Sequence, residues 1–291
     1  MIYLLGGSGY VGQAFQKHLK LRDIKYKCIG RMDFDYYVPG KLFNDLSKDK
    51  PDFFINCAGY TGKPNVDACE KDKEECLKGN AVLPGIIAKA CNALNIPWGH
   101  VSSGCIYTDN VAITKFKGWA EDDKPNFTFR SKGSCSWYSG TKALGEEILA
   151  DYNNLYIWRL RIPFNNINSP RNYLSKLINY TALLQATNSL SQLDEFVNAC
   201  LNCYTNKIPY GIYNVTNPGS ITTKEVVEII KKAGITDKEF VFFKNENEFM
   251  QIAAKTPRSN CILNSSKLND AGIKMTPVHE AVERAVNNWI K

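Results

Sequence analysis

What this chain of 291 residues lacks already narrows its class. No apolar run is long enough to span a bilayer as a helix, and no membrane partner is expected. There is no basic run and no basic patch interleaved with aromatics, which argues against nucleic acid as a partner. The net charge of +7 is modest and fits small anionic ligands instead. No internal repeat, low-complexity tract or clear linker is present, which excludes a repeat array. The ten cysteines form no framework. They are scattered singly, Cys57 at the end of a strand-like run and Cys69, Cys76 and Cys91 in helical patterns, and they read as buried reduced thiols. Cys200-x-x-Cys203 is the one close pair, and nothing near it supplies the other ligands of a zinc site, so no metal is expected. Met1 leads straight into a strand, leaving no room for a signal peptide, and a cytoplasmic location is expected.

What is present is the composition of a water-soluble globular chain, 44% hydrophobic and 22% charged. Its length suits one large domain or two intimately associated ones. Met1 to Leu5 is a continuous apolar run, as a buried parallel strand requires. It runs into Gly6-Gly7-Ser8-Gly9-Tyr10-Val11-Gly12 and then a helical pattern from Ala14. Gly7, Gly9 and Gly12 satisfy G-x-G-x-x-G, and Gly6, Gly9 and Gly12 the related G-x-x-G-x-x-G. Between a strand and a helix, such a turn lets backbone approach a pyrophosphate at the helix N-terminus. The alternative is a glycine-rich turn with no ligand.

A second strand, Tyr26 to Gly30, ends at Arg31. The usual acidic ribose-binding residue is missing there, although Asp33 and Asp35 follow. An arginine at this place can pair with a 2′-phosphate, so NADPH is expected in preference to NADH. A third strand, Asp52 to Cys57, runs into Ala58-Gly59, small enough for backbone to meet the cofactor. Helical segments follow over about Val66 to Leu77 and Ala81 to Leu94. Trp98 to Tyr107 is a fourth strand and its exit, and alternation sends Ser103 and Cys105 to one side if extended backbone persists through Gly104. A long loop from Thr108 to Cys135 is of the kind that closes over a substrate. Leu155 to Ile162 is a fifth strand. The expected fold is therefore α/β, a Rossmann-type doubly wound parallel sheet with a smaller interleaved substrate-binding domain. The expected division is 1–162, with 188–216, for the dinucleotide, and 163–187 with 217–291 for the substrate. Beyond Pro163 the sequence predicts helices from near Arg171, over Gln192 to Tyr204 and over Val278 to Trp289, and a strand from Ile212 to Thr216. Thr222-x-x-Glu225 is a capping box opening a further helix through Lys232.

Tyr138 and Lys142, four residues apart in a helical pattern, lie on one helical face. A phenol beside an ammonium has its phenolate favoured, which suits proton transfer at a carbinol carbon. Alone, the pair reads as part of an ordinary amphipathic helix.

The glycine turn, Ser103 and Tyr138-x-x-x-Lys142 together resemble the extended short-chain dehydrogenase/reductases. Within them the chain resembles the dTDP-4-dehydrorhamnose reductases. It is more similar still to the bifunctional UDP-4-keto-6-deoxyglucose 3,5-epimerase/4-reductases of the plant and giant-virus type, which make UDP-L-rhamnose. Stretches carrying this likeness are Cys57-Ala-Gly-Tyr-Thr-Gly-Lys-Pro-Asn-Val-Asp67, Ser103-Gly-Cys-Ile-Tyr107, Lys124-Pro-Asn-Phe127, Ser169-Pro-Arg-Asn-Tyr-Leu-Ser-Lys176, Gly211 to Gly219 and Pro257-Arg-Ser-Asn260. The resemblance implies that Cys105 is a base and Lys176 the opposing acid for epimerisation. A thiolate near ammonium groups has a lowered pKa, whereas read without the resemblance Cys105 is a small buried hydrophobe and Lys176 a solvated helix lysine. For reduction it implies Tyr138 as proton donor, Ser103 on the same oxygen, and Lys142 on the ribose. Asn172 and Arg258 join Ser103 and Cys105 as implied substrate contacts, Arg258 at the diphosphate, where the plainer reading is a salt bridge.

Departures are Ser103 in place of the threonine of plant relatives, and an insertion holding Arg130 to Cys135. The dehydratase fused in some relatives is absent, so a separate upstream 4,6-dehydratase is implied. A homodimer through the helices near Ala81 to Leu94 and Tyr138 to Tyr152 is also implied. Two other readings stay open: a 4-reductase without epimerase activity, and a non-catalytic NADP-binding regulatory subunit on the same fold.

Overall fold

A computed structural model describes residues 1–109 and 117–290. Six parallel strands form the central sheet. In chain order they begin with β1 (Ile2–Leu5), β2 (Tyr26–Ile29) and β3 (Phe53–Asn56). β4 (Trp98–Ser103), β5 (Leu155–Leu160) and a last strand, Gly211–Asn214, complete it. Their spatial order is Gly211–Asn214, β5, β4, β3, β1, β2. The chain therefore leaves β1 to one side for β2 and returns to the other for β3. Ligands of doubly wound sheets bind in the crevice above such a reversal.

Both faces of the sheet are covered, which is why its strands read as apolar runs rather than alternating ones. On one face α1 (Tyr10–Leu21) and α7 (Leu193–Thr205) bury Phe15, Leu19, Phe196 and Val197 against Phe53 and Trp158. On the other, α2 (Lys41–Asp49), α4 (Leu83–Ala93) and α5 (Trp137–Leu149) bury Leu42, Leu46, Ile87 and Leu149 against Phe54 and Trp98. A third core follows Pro163. Phe164, Leu174 and Leu177 of that core meet Val226 and Ile230 of α8 (Thr223–Lys232) and Val278 and Val282 of the last helix, Val278–Asn287. α8 opens with the expected capping box, Thr222 accepting from the Glu225 amide while Glu225 accepts from the Thr222 amide.

The helical stretches after β3 are more broken than their periodicity predicts. Val66–Glu70 is a 3₁₀ turn, α3 is only Lys73–Leu77, and Lys78–Val82 is a π-helical turn leading into α4. Asn80 explains the anchorage. Its buried amide accepts from the Tyr60 amide and donates to Tyr60 O, the Cys76 sulfur and the Thr141 hydroxyl, tying the loop after β3 to α5. Residues 110–116 of the loop expected to close over substrate lie outside the described residues.

Candidate active site

The glycine turn forms the nucleotide end of the crevice. Gly9 N donates to Gly6 O at 3.1 Å, and α1 starts immediately, with no side chain capping its first amides. Gly6 has φ +81°, and a Cβ there would lie 2.6 Å from Ala58 N. A Cβ on Gly12 would lie 2.1 Å from Gly6 O. The glycines thus let the β1 loop, the β3 loop and α1 meet at backbone distance, leaving open amides for a pyrophosphate. Gln16 and Gln13 donate to the carbonyls of Gly7 and Ser8, which holds the turn in shape. Ser8 and Gly9 are exposed, while Tyr10 and Val11 are half-buried. Arg31 stands largely exposed beyond β2, its Nε 3.3 Å from the Tyr36 hydroxyl and its fork 3.7 Å from Glu75. The Asp33 carboxylate accepts from the Gly30 amide at 2.7 Å. These residues fit a dinucleotide bearing a 2′-phosphate.

The reactive end is built by α5 against β4. Ser136 caps α5 by accepting from the Ser139 amide, and Glu70 accepts from the Trp137 amide at 2.7 Å. The first turn that carries Tyr138 is therefore fixed from both sides. Lys142, one turn on, is buried, donates to Val101 O at 3.4 Å, and would be 3.3 Å from a Cβ on Gly59. No carboxylate of the described residues pairs with it. Burial accordingly lowers its pKa, with the nearby Cys105 and Cys76 thiols opposing.

Tyr138 departs from the expected lowering. Its phenol is pushed well up by burial, which outweighs the hydrogen bond from the Ser103 side. The ring is only half-buried by exposed area, but a dense shell surrounds the hydroxyl. In this state Tyr138 is a proton donor rather than a phenolate.

Two further expectations are corrected at Cys105. The extended backbone stops at Ser103, and Gly104–Ile106 is a 3₁₀ turn capped by Ser103, whose hydroxyl accepts from the Cys105 amide at 3.2 Å. A turn rather than strand alternation sets the cysteine. Its thiol pKa is not lowered either. Burial pushes it up to about 11, against the pull of Ser103, Ser139, Arg161 and Lys142.

Lys176 lies in α6 (Tyr173–Asn179), and its side chain makes no ion pair or hydrogen bond among the described residues. Burial lowers its pKa, and Arg171 and Arg258 lower it further. Asn172 has a structural role. It is fully buried and caps α6, its oxygen accepting from Leu174 N and its amide donating to Asn165 and to Ile167 O. Arg258 is likewise occupied, both fork nitrogens lying 2.7 Å from the Asp67 carboxylate. Arg171, which the sequence reading passed over, donates to Gly62 O at 2.9 Å and completes this cationic cluster beside Lys176.

Sequence reasoning also missed the layer beneath. Glu146, one turn beyond Lys142, accepts from Ser102 at 2.5 Å and from Arg159 at 2.8 Å, all buried. Its signal was available, as two arginines in the run Trp158-Arg159-Leu160-Arg161 sit in a strand otherwise apolar. Buried charge of that kind always needs an account.

With the geometry in hand, comparison with known proteins is informative. The family of the RmlD substrate binding domain matches residues 1–290. The chain belongs to that family. It is 30% identical, over 97% of its length and 91% of the other's, to a bifunctional dTDP-4-dehydrorhamnose 3,5-epimerase/dTDP-4-dehydrorhamnose reductase of Arabidopsis thaliana. It is also 30% identical to a trifunctional UDP-glucose 4,6-dehydratase/UDP-4-keto-6-deoxy-D-glucose 3,5-epimerase/UDP-4-keto-L-rhamnose-reductase of the same plant, but spans only 41% of that protein. The L780 UDP-rhamnose synthase of Acanthamoeba polyphaga mimivirus superposes with TM-score 0.89 over 99% of both chains at 24% identity. A Bacillus anthracis dTDP-4-dehydrorhamnose reductase, solved in complex with NADP, gives 0.80 over 97% of both at 18%. These likenesses establish the RmlD-type α/β fold. Among the described residues no helix is long and apolar enough to cross a membrane, and no cluster of residues could hold a metal ion.

Proposed function

We propose that this protein reduces the 4-keto group of a nucleotide-linked 6-deoxy sugar with NADPH, after epimerising it at carbons 3 and 5, giving UDP-L-rhamnose. The observation that carries the reading is the convergence of Ser103, Tyr138 and Lys142 at one end of the β1–β3 crevice and the open glycine turn at the other. Bound NADPH supplies the hydride that reaches carbon 4. Gly6 to Gly12 and Ala58-Gly59 would hold its pyrophosphate, Arg31 its 2′-phosphate, and Lys142 its ribose. Tyr138, kept protonated by burial, gives its proton to the carbon 4 oxygen while Ser103 hydrogen-bonds the same atom.

The epimerase step rests on Cys105 in that same wall and on Lys176. The Cys105 thiolate takes the proton from carbon 3 or carbon 5, the C–H electrons passing into the enolate. Lys176 then returns a proton to the opposite face of that carbon, and a lowered ammonium pKa suits it as an acid. Supporting this reading are the bifunctional and trifunctional relatives named above. Deuterium uptake at carbons 3 and 5 in heavy water, without NADPH, is the test, and no uptake removes the epimerase step. NADPH oxidation on the epimerised sugar alone would leave a 4-reductase, and cofactor binding with no turnover on either UDP or dTDP keto sugar would leave a regulatory NADP-binding subunit. The substrate would come from a separate 4,6-dehydratase. A homodimer through α4 and α5, where Ile148 and, just ahead of α4, Val82 are exposed, completes the proposal. A monomer in sedimentation at working concentration would remove that part.

A further inference from the structure

Arg161, just past the end of β5, is the one arginine here whose burial is not explained by an acid. Its residue is 5% exposed, yet no carboxylate of the described residues forms an ion pair with it. One fork nitrogen donates to Asn188 Oδ1 and to Ser259 O, both uncharged, and its Nε is buried with no partner at all. The next residue, Ile162, has φ +38°, a conformation costly for a β-branched side chain and tolerated where surrounding structure fixes it. The same Asn188 oxygen accepts from Cys261 N, and the Cys261 sulfur donates to Gly104 O, next to Cys105. Ser259 in turn donates to Tyr107 O, two residues beyond Cys105. The guanidinium is thus clamped against the turn that carries Cys105, at the C-terminal ends of the strands. A buried cation without an anion is costly, and the site is incomplete until one forms.

We propose that Arg161 is the counter-charge of the Cys105 sulfur, a positioning residue that stabilises the thiolate in the wall of the site. The groups whose hydrogen bonds or charge reach that sulfur are Ser103 from β4, Tyr138, Ser139 and Lys142 from α5, and Arg161. Asp109, Tyr173 and Cys261 also feel the Arg161 charge. The inference takes its interest from the epimerase reading, but its test does not depend on it.

Iodoacetamide alkylation of the full chain, in which the sulfur–carbon bond forms as iodide leaves, is followed at Cys105 by peptide-resolved mass spectrometry. The pH midpoint is the readout, since it is insensitive to altered access. Arg161→Gln should move the Cys105 midpoint upward by about one unit or more, and Arg161→Lys should restore most of it, with exposed Cys28 unchanged as the internal reference. An unmoved midpoint in folded Arg161→Gln overturns the proposal. Should that variant not fold, Cys105→Asp and Cys105→Asn decide by thermal melting at about pH 8. A higher melting point for the aspartate supports pairing with Arg161, and a lower one overturns it. Loss of carbon 3 and 5 exchange with an Arg161-dependent midpoint would remove only the epimerase reading, and the converse only this one.

Discussion

Arg159 and Arg161 stand two residues apart, and their surroundings differ in kind. Beneath the site, Arg159 is met by Glu146 through three hydrogen bonds, by the Tyr107 hydroxyl and by Glu121 O. Ser102 donates to the same carboxylate. Every charge in that floor has its opposite. In the wall above, Arg161 and Lys142 carry positive charge with no carboxylate partner among the described residues, beside thiol and phenol groups that burial keeps protonated, and Lys176 is likewise without one, near Arg171 and Arg258. The floor is closed and should govern stability. The wall is open and should govern chemistry, since its charges are completed only by an anionic substrate, cofactor or thiolate.

Substitutions that separate these two roles test the contrast. Tyr138→Phe strikes the wall. It should lower the rate of carbon 4 reduction by about 10²–10⁴-fold, while weakening carbon 3 and 5 exchange far less and leaving the urea midpoint nearly unchanged. Loss of both reactions in a folded variant would mean that they share more machinery than proposed.

Glu146→Leu strikes the floor. It strands Arg159 in a buried site, and unfolding in urea should report a loss of about 3–5 kcal/mol. Glu146→Leu with Arg159→Met should recover part of that loss, because no charge is then left unpaired. If the double variant is no more stable than the single one, the floor is not the closed ion pair described. Arg161→Met, by contrast, removes a charge that has no acid to orphan. It should cost only about 1–3 kcal/mol, from the lost hydrogen bond to Asn188 and the Ser259 oxygen left without its donor. A loss equal to that of Glu146→Leu would erase the distinction between floor and wall.

The two regions also differ in how far they could be read from sequence. The parallel sheet, the glycine turn and the Tyr138 and Lys142 helix follow from local pattern, because strand runs, glycine spacing and helical period are properties of adjacent residues. The floor could not be assembled from sequence for the opposite reason, although its arginines stand out in an apolar run. Ser102, Glu146 and Arg159 come from three separate elements, and only the β4–β5 register with α5 packed across it brings them together. Asn172 and Arg258 carry structural bonds that local pattern does not show either. A polar side chain in a substrate-like stretch can serve as a helix cap or find an acid such as Asp67, about two hundred residues away in sequence. The pKa directions at Tyr138 and Cys105 failed because a neighbouring ammonium was weighed without the desolvation that opposes it.

The Cys105 thiol, ordinarily near 9, is held up to about 11 by burial, so the folded chain keeps its proton more firmly than the unfolded chain does. A thiol is neutral when protonated. Its contribution to stability is therefore fully present below pH 9 and declines as pH climbs from 9 towards 11, where the folded form must also ionise. Cys105→Ala removes this term, so its stability should fall less steeply than that of the wild type across that alkaline window, while the two curves run parallel below it. Other buried thiols and phenols titrate in the same range, such as Cys203 and Tyr107, so the difference is a modest one on a common slope. Urea unfolding at several alkaline pH values would measure it. Parallel curves throughout would mean that the sulfur already ionises near its ordinary value, and that the positive wall, with Arg161 in it, outweighs burial after all.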